Sequence, residues 1–241
     1  MIKCLIWDVA ETILAYDFQE VMAKLARISG KSPEEVLHIF GGDYSNKCSL
    51  IYSFDAGEIE TEEFIVAVRD LLGIDHTVPS GLIMDMFYHC HRMPKGTESL
   101  LRFLRKSYIQ GIVSNMNLLQ WSYIEHVFPI ISDKRGIMDF HLLSFREKLM
   151  KPDLKIYEHA FRRAYDAYET RKNGSLHCEL KRSNCLFLDD REENITGALD
   201  FGFRAVCVQP ASKVGYCGIF EALRREGIAV PLSRSGHRKR H

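Results

Sequence analysis

The sequence predicts an α/β protein, a doubly wound parallel sheet interrupted after its first strand by an all-helical insertion. Two observations carry this. Five short apolar runs, at 3–7, 109–113, 141–145, 185–188 and 204–208, each end in polar or turn-forming residues, as strands buried on both faces of a parallel sheet do. Helical patterns at 97–106, 119–128, 154–168 and 193–201 alternate with the later four runs, the signature of helices on both sheet faces. With 241 residues the chain is long enough for one such domain with a modest insertion, or two small domains.

After the first run the alternation breaks. Residues 17–93 hold helical stretches at 18–29, 33–40, 61–72 and 81–89 and no strand pattern. Ser32-Pro33-Glu34-Glu35 and Glu60-Thr61-Glu62-Glu63 both read as helix starts, with capping oxygens and early acids. The expected division is therefore an α/β core of 1–16 and 94–241, with a helical unit of 17–93 between. The polar stretch 170–183, with Asn173-Gly174, reads as an extended surface loop, and the basic tail 233–241 as a solvated terminus.

Composition narrows the function classes. Hydrophobic residues are 46% and charged ones 27%, and 32 Lys plus Arg balance 32 Asp plus Glu. That balance gives no bulk attraction for nucleic acid or an anionic membrane. The seven cysteines contain no CxxC pair, and Cys185 and Cys207 sit in apolar runs where a thiol packs as a small hydrophobe. A reducing compartment suits them better than a disulfide framework. MIKCLIWD is too short and too interrupted for a signal peptide, and no later stretch reaches membrane-spanning length. A cytoplasmic location is expected; oligomeric state is not readable.

In a doubly wound sheet, ligands bind at the carboxyl ends of the strands. The first run is followed by Asp8, the second by Ser114-Asn115 and the fourth by Asp189-Asp190, while the third leads to Lys151-Pro152-Asp153. Carboxylates at two strand ends make an oxygen-rich site for Mg²⁺, which would screen repulsion between an attacking carboxylate and a phosphate dianion. The Ser114 hydroxyl and the amides after it can hold phosphoryl oxygens, and Lys151 adds a point cation. A carboxylate nucleophile would split phosphoryl hydrolysis into two easier steps. Each piece alone also reads as a turn or helix-cap residue; the four in order are what point to one crevice.

These segments resemble the motifs of the haloacid dehalogenase-like (HAD) hydrolase superfamily. LIWDVAETIL at 5–14 is similar to its nucleophile motif, Asp-x-Asp-x-Thr after an apolar strand, and IVSNMN at 112–117 to its Ser/Thr motif. LMKPDLKIYEHA at 149–160 resembles its lysine motif and CLFLDDREENITGA at 185–198 its acidic motif. GEIETEEF at 57–64 resembles a segment of the subgroup whose helical cap follows the first motif. The likeness covers roughly residues 1–210. It implies a HAD-like Rossmannoid core with 17–93 as the cap, and a Mg²⁺-dependent hydrolase that takes a small phosphorylated metabolite through an Asp8 phosphoaspartate. By the same resemblance Ser114 and Asn115 bind the phosphoryl group with Lys151, and Asp8, the Ala10 carbonyl, Asp189 and Asp190 hold the metal.

Ala10 departs from that pattern, since phosphatases of the superfamily place a general acid/base Asp there, worth roughly 10²–10⁴-fold. Three readings stay open. The chain resembles glucose-1-phosphate phosphatase-like members with a small residue at this position. It also resembles phosphonoacetaldehyde hydrolase, whose cap lysine cleaves a C–P bond through a Schiff base, with Lys47 in about the right stretch. Or it is a non-catalytic HAD-like protein that binds a ligand or partner. Dehalogenases resemble a motif with Tyr at this position and no acidic pair, so Asp189-Asp190 argues against them. Glu11 is the nearest replacement acid, and it can equally cap the turn.

Other features have plainer readings. His89-Cys90-His91 has poor spacing for a closed metal site and reads as hinge packing, and His177-Cys178 is no better placed. Specificity is expected in 40–54, where Gly41-Gly42 permits a sharp turn and Tyr44, Tyr52 and Phe54 are candidates to touch substrate or pack the cap. Trp7 is expected to be buried against a helix.

Overall fold

The computed structural model describes residues 1–40, 49–88, 90–133, 136–172 and 179–231. The chain opens with β1 (Cys4–Trp7), four residues wholly inside the protein. A tight turn leads to β2 (Ala15–Tyr16), and then come, among the described residues, the helices α1 (Phe18–Ser29), α2 (Pro33–Ile39), α3 (Leu50–Asp55), α4 (Thr61–Leu72) and α5 (Ser80–Tyr88). The chain returns through β3 (His91–Arg92) and α6 (Thr97–Leu104) to β4 (Ile109–Ser114), followed by α7 (Leu118–Val127). The remainder is β5 (Phe140–Leu143), α8 (Ser144–Glu147), α9 (Leu154–Lys172), β6 (Cys185–Asp189), α10 (Glu192–Phe201), β7 (Arg204–Cys207), α11 (Ala211–Val214) and α12 (Cys217–Arg225).

The five long strands form one parallel sheet in the order β5-β4-β1-β6-β7. Alternation along β1 shows why its run is continuously apolar. Leu5 and Trp7 enter the hydrophobic cluster on one face, with Ile112, Leu186 and Leu188. Cys4 and Ile6 enter the cluster on the other, with Val113, Phe187 and the α9 residues Ile156 and Tyr157. A strand covered on both faces has no polar side to show. Gly111 of β4 lets the Phe140 ring cross it, for a Cβ there would lie 2.0 Å from that ring.

The inserted helices carry a separate core. Phe40, Phe54, Phe64 and Phe87 meet at its centre, with Phe54 stacked on Phe64 at 4.0 Å between centroids and Phe87 edge-on to Phe64 at 5.3 Å. Both expected helix starts are present. Ser32 Oγ accepts from the Glu35 amide at 3.2 Å while Glu35 accepts from the Ser32 amide at 2.7 Å. The Glu60 amide donates to Glu63 at 3.0 Å.

Four sequence expectations need correction. Residues 17–93 do contain a strand, β3, which pairs antiparallel with β2 through Ala15↔Arg92 and Tyr16↔His91. Residues 50–55 form a helix, α3. The run at 141–145 starts one residue earlier and turns into α8 at Ser144. Residues 170–172, expected in a surface loop, belong instead to α9, which continues to Lys172. No helix among the described residues is long and apolar enough to cross a membrane.

Candidate active site

At the carboxyl edge of the sheet, the residue after β1 and the last residues of β4 and β6 come close together because the register pairs Trp7 with both Ile112 and Leu188. The Asp8 amide still donates to the Leu188 carbonyl at 2.9 Å, so the strand geometry carries Asp8 to the edge. Asp8 as a whole is 6% exposed. Oδ1 accepts from the Ser114 hydroxyl at 2.8 Å and from the Lys151 ammonium at 2.6 Å. That ammonium also donates to Asp189 Oδ2 at 2.6 Å, so one buried cation bridges two buried carboxylates.

Asp189 is pinned from its other side. Asn194 Nδ2 donates to its two oxygens at 3.0 and 3.1 Å, and the Arg191 amide donates to Oδ1 at 2.9 Å. The geometry brings Asp190 into the same group, with an oxygen from each of Asp8, Asp189 and Asp190 within 4.8 Å of one another. Asn115 serves position rather than charge. Its amide donates to the Lys151 carbonyl at 3.0 Å and accepts from the Lys151 amide at 2.9 Å, a two-point clamp on the lysine backbone.

The electrostatics are those of an acidic crevice. Burial, opposed by Lys151 and reinforced by Asp189, pushes the Asp8 carboxyl up to about 6. Burial and then repulsion from Asp8 and Asp189 push Asp190 up to about 7. Burial works against the Lys151 ammonium, but Asp189 and Asp8 outweigh it and hold its pKa above the usual lysine value. Three carboxylates against one ammonium leave excess negative charge in a water-poor space. An all-oxygen donor set with that charge fits a hard divalent cation such as Mg²⁺.

Ala10 supplies no side-chain functional group; it makes a bridge to Leu14. Glu11 does not reach into the crevice as a free acid. Its carboxylate accepts from the Tyr16 amide at 2.9 Å and from the Ser212 amide and hydroxyl at 2.9 and 2.6 Å. Beside Lys151 a cleft of about 620 Å³ opens, lined by Tyr52, Ala56 and Glu58 of the insertion and by Asn115, Lys148, Asp153 and Arg191 opposite.

Several candidates prove structural. Trp7 is buried and donates to Gln110 Oε1 at 3.2 Å, and Gln110 in turn donates to the Leu101 carbonyl of α6 at 2.9 Å. Cys90 donates to the Phe87 carbonyl at 3.1 Å, and His91 stacks on Tyr16 at 4.8 Å. Phe54 is buried in the core of the insertion. Gly41-Gly42, Tyr44, Lys47, His89, Asn173-Gly174, His177-Cys178 and the tail 233–241 lie outside the described residues. The residue-level reading missed Asn194, Asn117, Ser144 and Asp55. Asn117, directly before an apolar helical pattern, carries an N-cap signal, and its Oδ1 does accept from the Gln120 amide at 3.0 Å. Ser144 is a polar residue inside an apolar run; Asp55 gives no local sign.

Solved structures with a similar fold include HAD-family enzymes. One, from Bacteroides thetaiotaomicron and solved with magnesium and inorganic phosphate, is 19% identical, with a TM-score of 0.68 over 87% of this chain and 96% of that one. A predicted HAD-like family hydrolase of Porphyromonas gingivalis is 18% identical, with a TM-score of 0.69 over 93% and 98%. An L-2-haloacid dehalogenase of Xanthobacter autotrophicus is 16% identical, with a TM-score of 0.54 over 86% and 78%. No protein-family model and no curated protein matches the sequence. The likeness is one of fold: this chain has the HAD-like α/β core.

Proposed function

We propose that this chain is a Mg²⁺-dependent phosphatase of the HAD superfamily, acting on a small phosphorylated metabolite, with Asp8 as nucleophile. The observation that carries the reading is the single Lys151 ammonium bridging Asp8 and Asp189, with Ser114 on the same Asp8 oxygen. An Asp8 oxygen attacks phosphorus, the ester oxygen leaves, and water then cleaves the acyl phosphate to restore the carboxylate. The Ser114 hydroxyl, here donating to Asp8, is placed to turn to a phosphoryl oxygen. Lys151 keeps Asp8 ionised and offsets charge on the phosphoryl group. Asp8, Asp190 and the Ala10 carbonyl, with Asp189 beside them, would hold Mg²⁺, which when bound supplies charge neutralisation for an attacking anion and an anionic target.

The insertion, taken as 17–93, acts as the cap over a core of 1–16 and 94–241, and the cleft beside Lys151 takes the leaving group. With Ala10 mute and Glu11 engaged elsewhere, neither residue at the usual acid position protonates the leaving group. That favours substrates whose own oxygens assist departure, such as the sugar 1-phosphates of the phosphatases that Ala10 resembles. The acidic pair Asp189-Asp190 supports a metal-dependent phosphatase over a dehalogenase.

The test is phosphate release from sugar phosphates, nucleotides and p-nitrophenyl phosphate, with Mg²⁺ and with EDTA, in the native protein and Asp8→Asn. Metal-dependent release that vanishes in the variant is expected. Absence of release from every compound by folded protein would overturn the reading, and would turn attention to phosphonate cleavage through Lys47 or to ligand binding without turnover.

A further inference from the structure

Residues 114–117 run from the last residue of β4 through a short loop to the N-cap of α7, and each successive residue carries a different tie. Ser114 holds Asp8, and Asn115 clamps the backbone of Lys151. The Met116 amide donates to Ser144 Oγ at 2.9 Å. Asn117 Nδ2 donates to the Asp55 carboxylate at 2.7 Å. Asp55 is the last residue of α3, in the insertion, and its carbonyl accepts from Ser144 Oγ at 2.5 Å. Asp55, Asn117 and Ser144 are all wholly buried.

The seam is built for close approach. Gly57, two residues beyond Asp55, sits at φ +68°, and a Cβ on it would fall 2.3 Å from the Phe145 carbonyl oxygen. Backbone of the insertion therefore rests on backbone of the core next to Ser144. Ser144 has a single hydroxyl proton, which it gives to Asp55 of the insertion while taking the Met116 amide proton, with the Met116 carbonyl at 3.1 Å as the competing acceptor. A displaced α3 thus frees the Ser144 hydroxyl to turn back onto Met116 and alters the hydrogen bonds of the loop itself.

A carboxylate is a poor choice if this seam only had to be stable. Burying the charge is costly, and a well-packed apolar residue of similar size would serve as well or better. Asp55 instead gives the seam a directional partner for one loop residue, three positions from the hydroxyl on the nucleophile. That distance is at most about 11 Å of chain, and its two intervening residues are both tied.

We propose that Asp55, acting through Asn117 and Ser144, is a positioning residue: it registers the closed cap on the 114–117 loop and so sets Ser114 against Asp8. This rests on the phosphatase reading above for its kinetic consequence, though not for its structural one. Small misplacement of a reacting constellation costs rate more than ground-state binding.

The experiment compares native protein with Asp55→Ala, Asp55→Asn and Ser144→Ala. Two readouts are taken: kcat and KM for the best phosphorylated substrate with Mg²⁺, and hydrogen exchange at the Met116 amide. Asp55→Ala is expected to lower kcat by about tenfold to a hundredfold with KM little changed, and to speed exchange at Met116. Asp55→Asn, which keeps an oxygen for Asn117, restores most of both. A lowered melting temperature with kcat and Met116 exchange unchanged would make Asp55 merely structural and overturn the proposal. If Asp55→Ala does not fold, Ser144→Ala decides by kcat against KM, since it removes the Met116 amide's own acceptor: a lowered kcat at unchanged KM supports the proposal and an unchanged kcat overturns it. If native protein releases no phosphate from any compound, the phosphatase reading fails, and Met116 exchange in Asp55→Ala decides: faster exchange supports the coupling, unchanged exchange overturns it.

Discussion

At Glu11 the backbone turns through φ 59°, a left-handed conformation that costs a non-glycine residue about 1–2 kcal/mol. Its bonds repay that strain. The carboxylate takes the Tyr16 amide and both donors of Ser212, and the Glu11 carbonyl takes the Ala211 amide at 2.7 Å. One side chain thereby ties the turn after β1 to the ribbon strand β2 and to α11, and it is spent as a fastener. Glu11→Ala should cost about 2 kcal/mol, the order expected for hydrogen bonds to a charged acceptor, and lower Tm by roughly 4–8 °C, with kcat held at the native value. Glu11→Gln, which keeps one acceptor oxygen, should fall between. Urea denaturation alongside steady-state kinetics checks this; lost turnover at unchanged stability would mean that Glu11 does supply the acid missing at Ala10.

The β2–β3 ribbon is the element through which the chain both leaves and re-enters the core, and a titratable group lies inside it. Burial pulls His91 down from 6.5 to about 4, and its ring is stacked on Tyr16. The folded pKa is depressed, so between these values the unfolded chain binds a proton that the native protein does not. Stability from this site is present above pH 6.5 and is lost as pH falls towards 4, by roughly 3 kcal/mol in full. Asp8 and Asp190, whose folded pKa values are raised, act in the opposite sense over part of this window, so the comparison must be with a variant. His91→Phe keeps the ring contact, and its urea midpoint should fall less than the native one between pH 6.5 and 4; parallel pH curves would rule out the buried neutral His91. The ribbon also marks what the sequence conceals. Of the five sheet strands β1 and β6 were the most legible, because burial on both faces leaves unbroken apolar runs, CLIW and CLFL, and the candidate-site residues Asp8, Ser114, Lys151 and Asp189-Asp190 were legible because they stand at or soon after the ends of the expected runs. A two-residue strand such as Ala15–Tyr16 has too few residues for a period of two to show, and the pairing that defines it is with residues 91–92. Asp55 was illegible for the same reason, since its partners Asn117 and Ser144 are remote in sequence.

At the scale of the whole molecule, three hydrophobic clusters divide the work: two flank the sheet and one lies within the insertion. Leu119 crosses that division. It belongs to α7, which follows β4 in the chain, yet it packs in the cluster of the insertion with Phe54, Phe64 and Phe87. Around it the seam has the polar ties of Asp55 and the Tyr88–Tyr123 stack at 6.2 Å. Removing most of one buried leucine from such a seam costs about 2–5 kcal/mol, a large part of whatever couples two separately packed cores. Both tryptophans of the chain, Trp7 and Trp121, lie in one cluster beside the sheet, so their fluorescence reports on the core while far-ultraviolet circular dichroism reports on helices throughout. In the native protein the two signals should be lost together on heating, the mark of a cooperative transition. In Leu119→Ala the helical signal should begin to fall at a lower temperature, with the tryptophan transition close to its native position, as the insertion melts from a core that stays folded. Coincident transitions in the variant, shifted together, would show instead that the two units unfold as one body whatever the seam contributes.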